Sequence, residues 1–244
     1  MADEVIGSEG EVAVSRTRAL RWELVAVCLW GIAPAFFPRR LDIKAFRPPA
    51  DLIPLGYTLP YFGFLGLLVF VLWSSGDPLT TFGFRRFRPV RDLPIGLALG
   101  IGMTFLNAAT MLIWYDRPFG DLARGLFGWR LMAQNSGTSV LILLLVTALI
   151  ASLSSEIIFR SWLIPRIEEL TGRPWTAVAV SAALFALARG GATGGYSLAG
   201  FLYGVATGLL FGIAAGVVFL KARSLWPLVI GSMIWFGVQF LWLI

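Results

Sequence analysis

Seven apolar runs partition the 244-residue chain, and no other feature limits its possible folds as strongly. They are Trp22–Phe37, Asp51–Trp73, Leu93–Tyr115, Ser139–Leu163, Pro174–Ala188, Leu198–Leu220 and Trp226–Ile244. A run of ~20 apolar residues is what a helix needs to cross the hydrocarbon of a bilayer, and a helix satisfies its own backbone polar groups where no water can. Composition agrees: 57% of residues are hydrophobic, 14% are charged and mean hydropathy is +0.78, against about 25% charged in a soluble domain. The expected fold class is all-α, a polytopic transmembrane helix bundle of about seven (six to eight) spans. Residues 1–15, polar and acidic (Asp3, Glu4, Glu9, Glu11), are expected to be a disordered tail, and residues 16–244 a single transmembrane helical domain. The tail has no basic stretch followed by an apolar one, so no secretory signal is expected. Pro34 interrupts the first run, which predicts a kinked or tilted segment. Leu122–Ala133 is a candidate interfacial helix, with Trp129 and Arg130 near its end.

The charges are as unevenly placed as the apolar residues. Eighteen arginines and two lysines give a net charge of +6, and they lie mostly in short clusters between apolar runs, where they meet lipid headgroups. Membrane lipid is therefore the expected partner, with other integral membrane proteins, and nucleic acid is not. With seven spans, the N-terminal side collects eleven basic residues and the opposite side eight, which predicts a cytoplasmic N-terminus in a plasma (inner) membrane. Cys28 is the single cysteine and histidine is absent, so an intrachain disulfide is impossible and a tight zinc site lacks its nitrogen and sulfur ligands. No metal and no cofactor are expected.

Two patterns inside the runs carry more information. Gly200, Gly204, Gly208, Gly212 and Gly216 recur every fourth residue of the sixth run, a stripe along which a neighbouring helix can approach closely. Packing within the bundle is one reading and a docking face for another subunit is the other. Gly96 and Gly100 form a smaller version in the third run. In the fourth run Glu156 lies well inside the apolar stretch, with Arg160 four residues later on the same helical face. A charge at the bilayer centre costs ~2.5–3.5 kcal/mol on insertion scales. Either this is a buried ion pair that fixes packing, or it marks a polar cavity for chemistry or transport.

The stretch from Ser155 to Trp175, Ser-Glu-Ile-Ile-Phe-Arg-Ser-Trp-Leu-Ile-Pro-Arg-Ile-Glu-Glu-Leu-Thr-Gly-Arg-Pro-Trp, resembles the central motif of the CAAX-protease and bacteriocin-processing (CPBP) family, which includes the type II CAAX prenyl endopeptidases. That family pattern reads Glu-Glu-x-x-x-Arg on one transmembrane helix, often with a Gly-Arg-Pro loop after it. Phe-x-x-x-His follows at the end of the next helix, and His-x-x-x-Asn or Asp on the last. Ser181–Gly190 resembles the second motif with Phe185 at its Phe position, and Ser224-Leu-Trp-Pro227 resembles the approach to the third. The resemblance covers about residues 135–240.

It implies a proteolytic site in which the first Glu and first His activate a water while the last His and Asn steady an oxyanion. Here those four positions hold Ser155, Arg189, Gly231 and Trp235. Glu156, Phe159, Arg160 and Phe185 remain. Without histidine the candidate general base reduces to Glu156, which Arg160 already engages, and a serine nucleophile at Ser154 or Ser155 would need a neighbouring base. A cation at Arg189 becomes tolerable if Glu156 supplies its counter-charge, which predicts an ion pair between them; snorkelling of Arg189 to the interface is the alternative. The expected function is a catalytically degenerate, non-catalytic binding, assembly or accessory subunit. An endopeptidase rearranged around Glu156 and a transporter are the competing readings.

Overall fold

The computed structural model describes residues 78–114, 148–193 and 198–241, together with Leu24, Val25, Gly66, Val69, Phe70, Trp73 and Val146. Among these residues every regular element is helical. Five helices follow one another: α1 (Pro89–Trp114), α2 (Ala148–Thr171), α3 (Pro174–Thr193), α4 (Leu198–Ala222) and α5 (Trp226–Leu241). Three stretches are long and apolar enough to cross a membrane, namely Pro89–Thr110 of α1, all of α2 and all of α4. The all-α expectation holds for the described residues. The count of seven is not reached there, because the first two apolar runs lie outside them except for six helical positions. The tail and the Leu122–Ala133 segment also lie outside.

Local chemistry explains where these helices begin and end. α1 starts four residues before its apolar run. Proline at the first helical position needs no hydrogen-bond partner, and the Asp92 carboxylate accepts the Arg88 backbone N–H at 2.8 Å. α2 outlasts its apolar run by a polar turn in which Arg166 pairs with Glu169 at 3.5 Å and Glu168 pairs with Arg223 at 3.0 Å. Gly172 ends α2 with φ of 66° and an N–H donated to the Glu168 carbonyl, the left-handed terminator that glycine adopts without a steric penalty. Pro174 then opens α3, so Gly-Arg-Pro is a helix–helix corner. α3 continues past Ala188 to Thr193, because Gly190 lies against α4: a Cβ there would stand 2.6 Å from Val205 Cγ2.

The most extensive helix contact joins α3 to α4, and the glycine stripe makes it. A Cβ on Gly208 would sit 2.9 Å from Ala186 Cα, on Gly212 2.8 Å from Ala182 Cα and on Gly216 2.8 Å from Val178 Cγ1. Gly200 and Gly204 are buried too. Over Gly208–Gly216 the stripe therefore serves packing inside the bundle. Gly96 and Gly100 do the same between α1 and α5, where added Cβ atoms would stand 2.9 Å from the Pro227 carbonyl oxygen and 2.8 Å from that of Gly231. Backbones this close exchange van der Waals contact that side chains would forbid, and in lipid that contact is a main source of helix association.

This packing separates two substitutions that look equivalent in sequence. Gly212→Ala should destabilise by about 1–3 kcal/mol, because its Cβ meets backbone that cannot yield. Gly102→Ala, whose Cβ meets nothing within 4 Å, should be neutral or stabilising by up to about 1 kcal/mol. Thermal unfolding of both variants in one mild detergent checks the pair, and equal shifts would contradict the packing.

Candidate functional site

α2 does not run as a uniform α-helix. Ile157–Trp162 forms a wider π-turn, closed by the Leu163 N–H bonding to the Ile158 carbonyl, and all six of its residues are buried. Such turns are rare and recur at functional sites. Ser181 of α3 donates its hydroxyl to the Phe159 carbonyl at 2.5 Å, giving a carbonyl of the widened turn a partner from the next helix.

Glu156 and Arg160, at the start and middle of this turn, both have zero exposure. Arg160 Nε lies 3.5 Å from Glu156 Oε2, and Ser232 of α5 donates to Glu156 Oε1 at 2.6 Å. Among the described residues the Arg160 guanidinium has no hydrogen-bond partner. Beside Glu156, ring faces meet its charge: Cζ lies 4.1 Å from the Phe185 centroid, 5.3 Å from Phe211 and 5.9 Å from Phe159. A cation within about 6 Å of an aromatic face is attracted by the ring quadrupole, most strongly when water is excluded. The rings also hold one another. Phe159 and Phe185 meet edge to face at 5.3 Å, Phe185 and Phe211 lie tilted to one another at 5.7 Å, and Phe211 stacks on Trp235 at 4.5 Å.

The structure brings together most of the residues singled out by sequence. Glu156, Arg160 and Phe185 are its centre. Arg189 and Trp235, on α3 and α5, meet each other, with the Arg189 guanidinium 4.7 Å from the Trp235 ring. The expected Glu156–Arg189 ion pair is not what forms: the partners of Glu156 are Arg160 and Ser232. A guanidinium can be accommodated by an aromatic face as well as by a carboxylate, and the stacked Trp235 supplies that face. Two positions stand aside. Ser155 is half-buried and donates back to the Ser152 carbonyl of its own helix at 3.1 Å. Gly231 faces α1, where a Cβ would lie 2.9 Å from Leu99 Cδ2. The α5 residue that reaches Glu156 is Ser232, the next in sequence. Ser232, Ser181 and Phe211 were not singled out as site residues. A serine in an apolar helix is the signal the first two carry, and Phe211 carries none.

An all-helical bundle with apolar spans, enclosing an acid, a guanidinium and hydroxyls, defines a membrane protein with a polar site inside its core. Residues 137–237 match the family model described as type II CAAX prenyl endopeptidase Rce1-like. The stretch that contains the whole site is thus a CAAX protease-like domain of the family its motifs resemble, in an integral membrane protein. No curated protein and no solved structure matches the chain.

The geometry makes Arg160 a partner that Glu156 cannot lose cheaply. Arg160→Leu should destabilise by about 3–5 kcal/mol, because it leaves a buried carboxylate uncompensated. Glu156→Gln combined with Arg160→Leu should cost less than Arg160→Leu alone. A double-mutant cycle by thermal or denaturant unfolding measures this coupling, and strict additivity would show that the two side chains do not act as a pair.

Proposed function

We propose that this protein is a non-catalytic member of the CAAX protease-like family. Its core would bind a membrane-inserted or lipidated protein segment without cleaving it, as an assembly or accessory subunit. The observation that carries this reading is the contact between Arg189 and Trp235. It occupies two positions where the family motifs put a histidine and an asparagine or aspartate. Water activation needs a group that accepts a proton at the operating pH, and a guanidinium stays protonated throughout that range. The remaining acid, Glu156, has one oxygen on Ser232 and the other facing Arg160. Ser155, at the first Glu position, is turned to its own backbone.

The binding role is supported by what the substitutions preserve. Aromatic rings from α2, α3 and α4 remain packed about Arg160 and Trp235 of α5 stacks on them, so the domain keeps an ordered core where the motifs lose their acid and bases. Exposed apolar residues such as Phe105 on α1 and Leu198 on α4 suit contacts with lipid chains or neighbouring helices. Placement in the plasma (inner) membrane with a cytoplasmic N-terminus belongs to the same reading.

The purified full chain in nanodiscs, given a fluorogenic farnesylated peptide, tests this. The expected result is saturable binding with no cleavage above that of Glu156→Gln. Turnover that Glu156→Gln abolishes would establish an endopeptidase built around that acid. Absence of both binding and turnover would reject the binding role.

A further inference from the structure

One end of the bundle gathers exposed arginine on a braced surface. Residues 84–88 lead irregularly from Gly83 into α1, and three contacts hold residues 83–87 against the start of α5. The Leu225 N–H donates to the Gly83 carbonyl at 3.0 Å, Trp226 Nε1 donates to the Arg85 carbonyl at 2.6 Å, and the Phe87 ring meets Trp226 edge-on at 5.9 Å. Gly83 has φ of 78°, and a Cβ there would stand 3.1 Å from Leu225 N, so this close approach requires glycine. Phe82 is buried beneath. On this shelf Arg85, Arg86 and Arg88, with Arg91 in the first turn of α1, are all exposed. Lys221 at the end of α4 and Arg173 before α3 are exposed at the same end of the bundle, which the Glu168–Arg223 pair ties together.

The acidic groups at this end do not offset those charges. Asp92 is buried and bonded to the Arg88 N–H, Glu168 pairs with Arg223 and Glu169 with Arg166. Among the described residues, the four shelf arginines, Arg173 and Lys221 have no carboxylate partner. Apolar side chains are interleaved with them: Phe87 is exposed, Val90 is 92% exposed and Trp175 is 65% exposed. Aromatic and apolar groups beside arginines fit the depth where acyl chains give way to headgroups.

We infer that this face binds anionic phospholipid headgroups, with the phosphates held on Arg85, Arg86, Arg88 and Arg91. Guanidinium forks bind phosphate oxygens in pairs, and a shelf already fixed by backbone contacts loses little freedom when a headgroup arrives. Clusters of four or more basic residues beside a membrane helix attract anionic lipid in this way. The inference is independent of whether the core site is catalytic.

Native mass spectrometry of the full chain, released from micelles holding equal phosphatidylglycerol and phosphatidylcholine, reads the lipids that stay bound. Wild-type protein should retain phosphatidylglycerol over phosphatidylcholine by roughly tenfold. The preference should fall toward parity in the variant R85Q/R86Q/R88Q/R91Q. On wild-type protein alone it should weaken as salt rises from about 0.05 to about 0.5 M, a measurement that needs no variant to fold. Equal retention of the two lipids by wild-type protein, or a preference unchanged by the four substitutions or by salt, would overturn the inference.

Discussion

A guanidinium with zero exposure inside a helix bundle dictates what must surround it. Arg160 cannot reach water, so its charge has to be met within the fold. Glu156, one turn earlier, meets part of it. Rings from α2, α3 and α4 meet the rest, and Ser232 of α5 steadies the carboxylate. Four of the five described helices are thereby committed to one cluster. The small residues act in the same direction. Glycines at 208, 212 and 216 let α4 lie close on α3, and this approach is what brings Phe211 within 5.7 Å of Phe185. Bulkier residues on the stripe would hold the helices apart, and Arg160 would lose a ring face along with the helix contact.

The π-turn belongs to the same construction. Widening a helix loosens its own hydrogen-bond ladder, so such turns persist where something outside the helix takes up the difference. Here the Ser181 hydroxyl does so at the Phe159 carbonyl. The contact also fixes the α2–α3 packing beside Phe159 and Phe185, the residues whose rings then meet Arg160. A polar contact from α3 and an ionic one within α2 thus constrain the same turn from two sides.

What was legible in the sequence is what depends on short spacing. Apolar runs of helical length gave helices over the described residues, glycines four apart gave a close-packed stripe, and acid and base four apart gave a pair. The Gly-Arg-Pro corner, too, follows from the local preferences of glycine and proline. The cross-helix partners were not legible, because nothing local encodes them. Glu156 and Ser232 are 76 residues apart in the chain, and adjacent residues on a helix point about 100° apart. A register error of one residue therefore exchanges Ser232, which faces the acid, for Gly231, which faces Leu99. For Arg189 the sequence offers a carboxylate at Glu156 or a place at the interface; the aromatic face it meets depends on Trp235 lying beside it, which nothing local encodes. The π-turn left no mark in the sequence, since its residues are compatible with an ordinary helix.

The position of the polar cluster along the helices adds one more step. Trp226, tied to the arginine shelf by its Nε1–H, is six residues from Ser232, or about 9 Å along α5 at 1.5 Å per residue. Glu168, tied to Arg223 at the same end, is eight residues from Arg160, or about 12 Å along α2. With the shelf at headgroup level, both paths end short of the ~15 Å that separates the hydrocarbon edge from the bilayer midplane. On that placement the cluster would lie in the leaflet next to the basic face. A charge there is less costly than one at the centre. The arginine shelf and the buried pair would therefore be two levels of one half of the bundle.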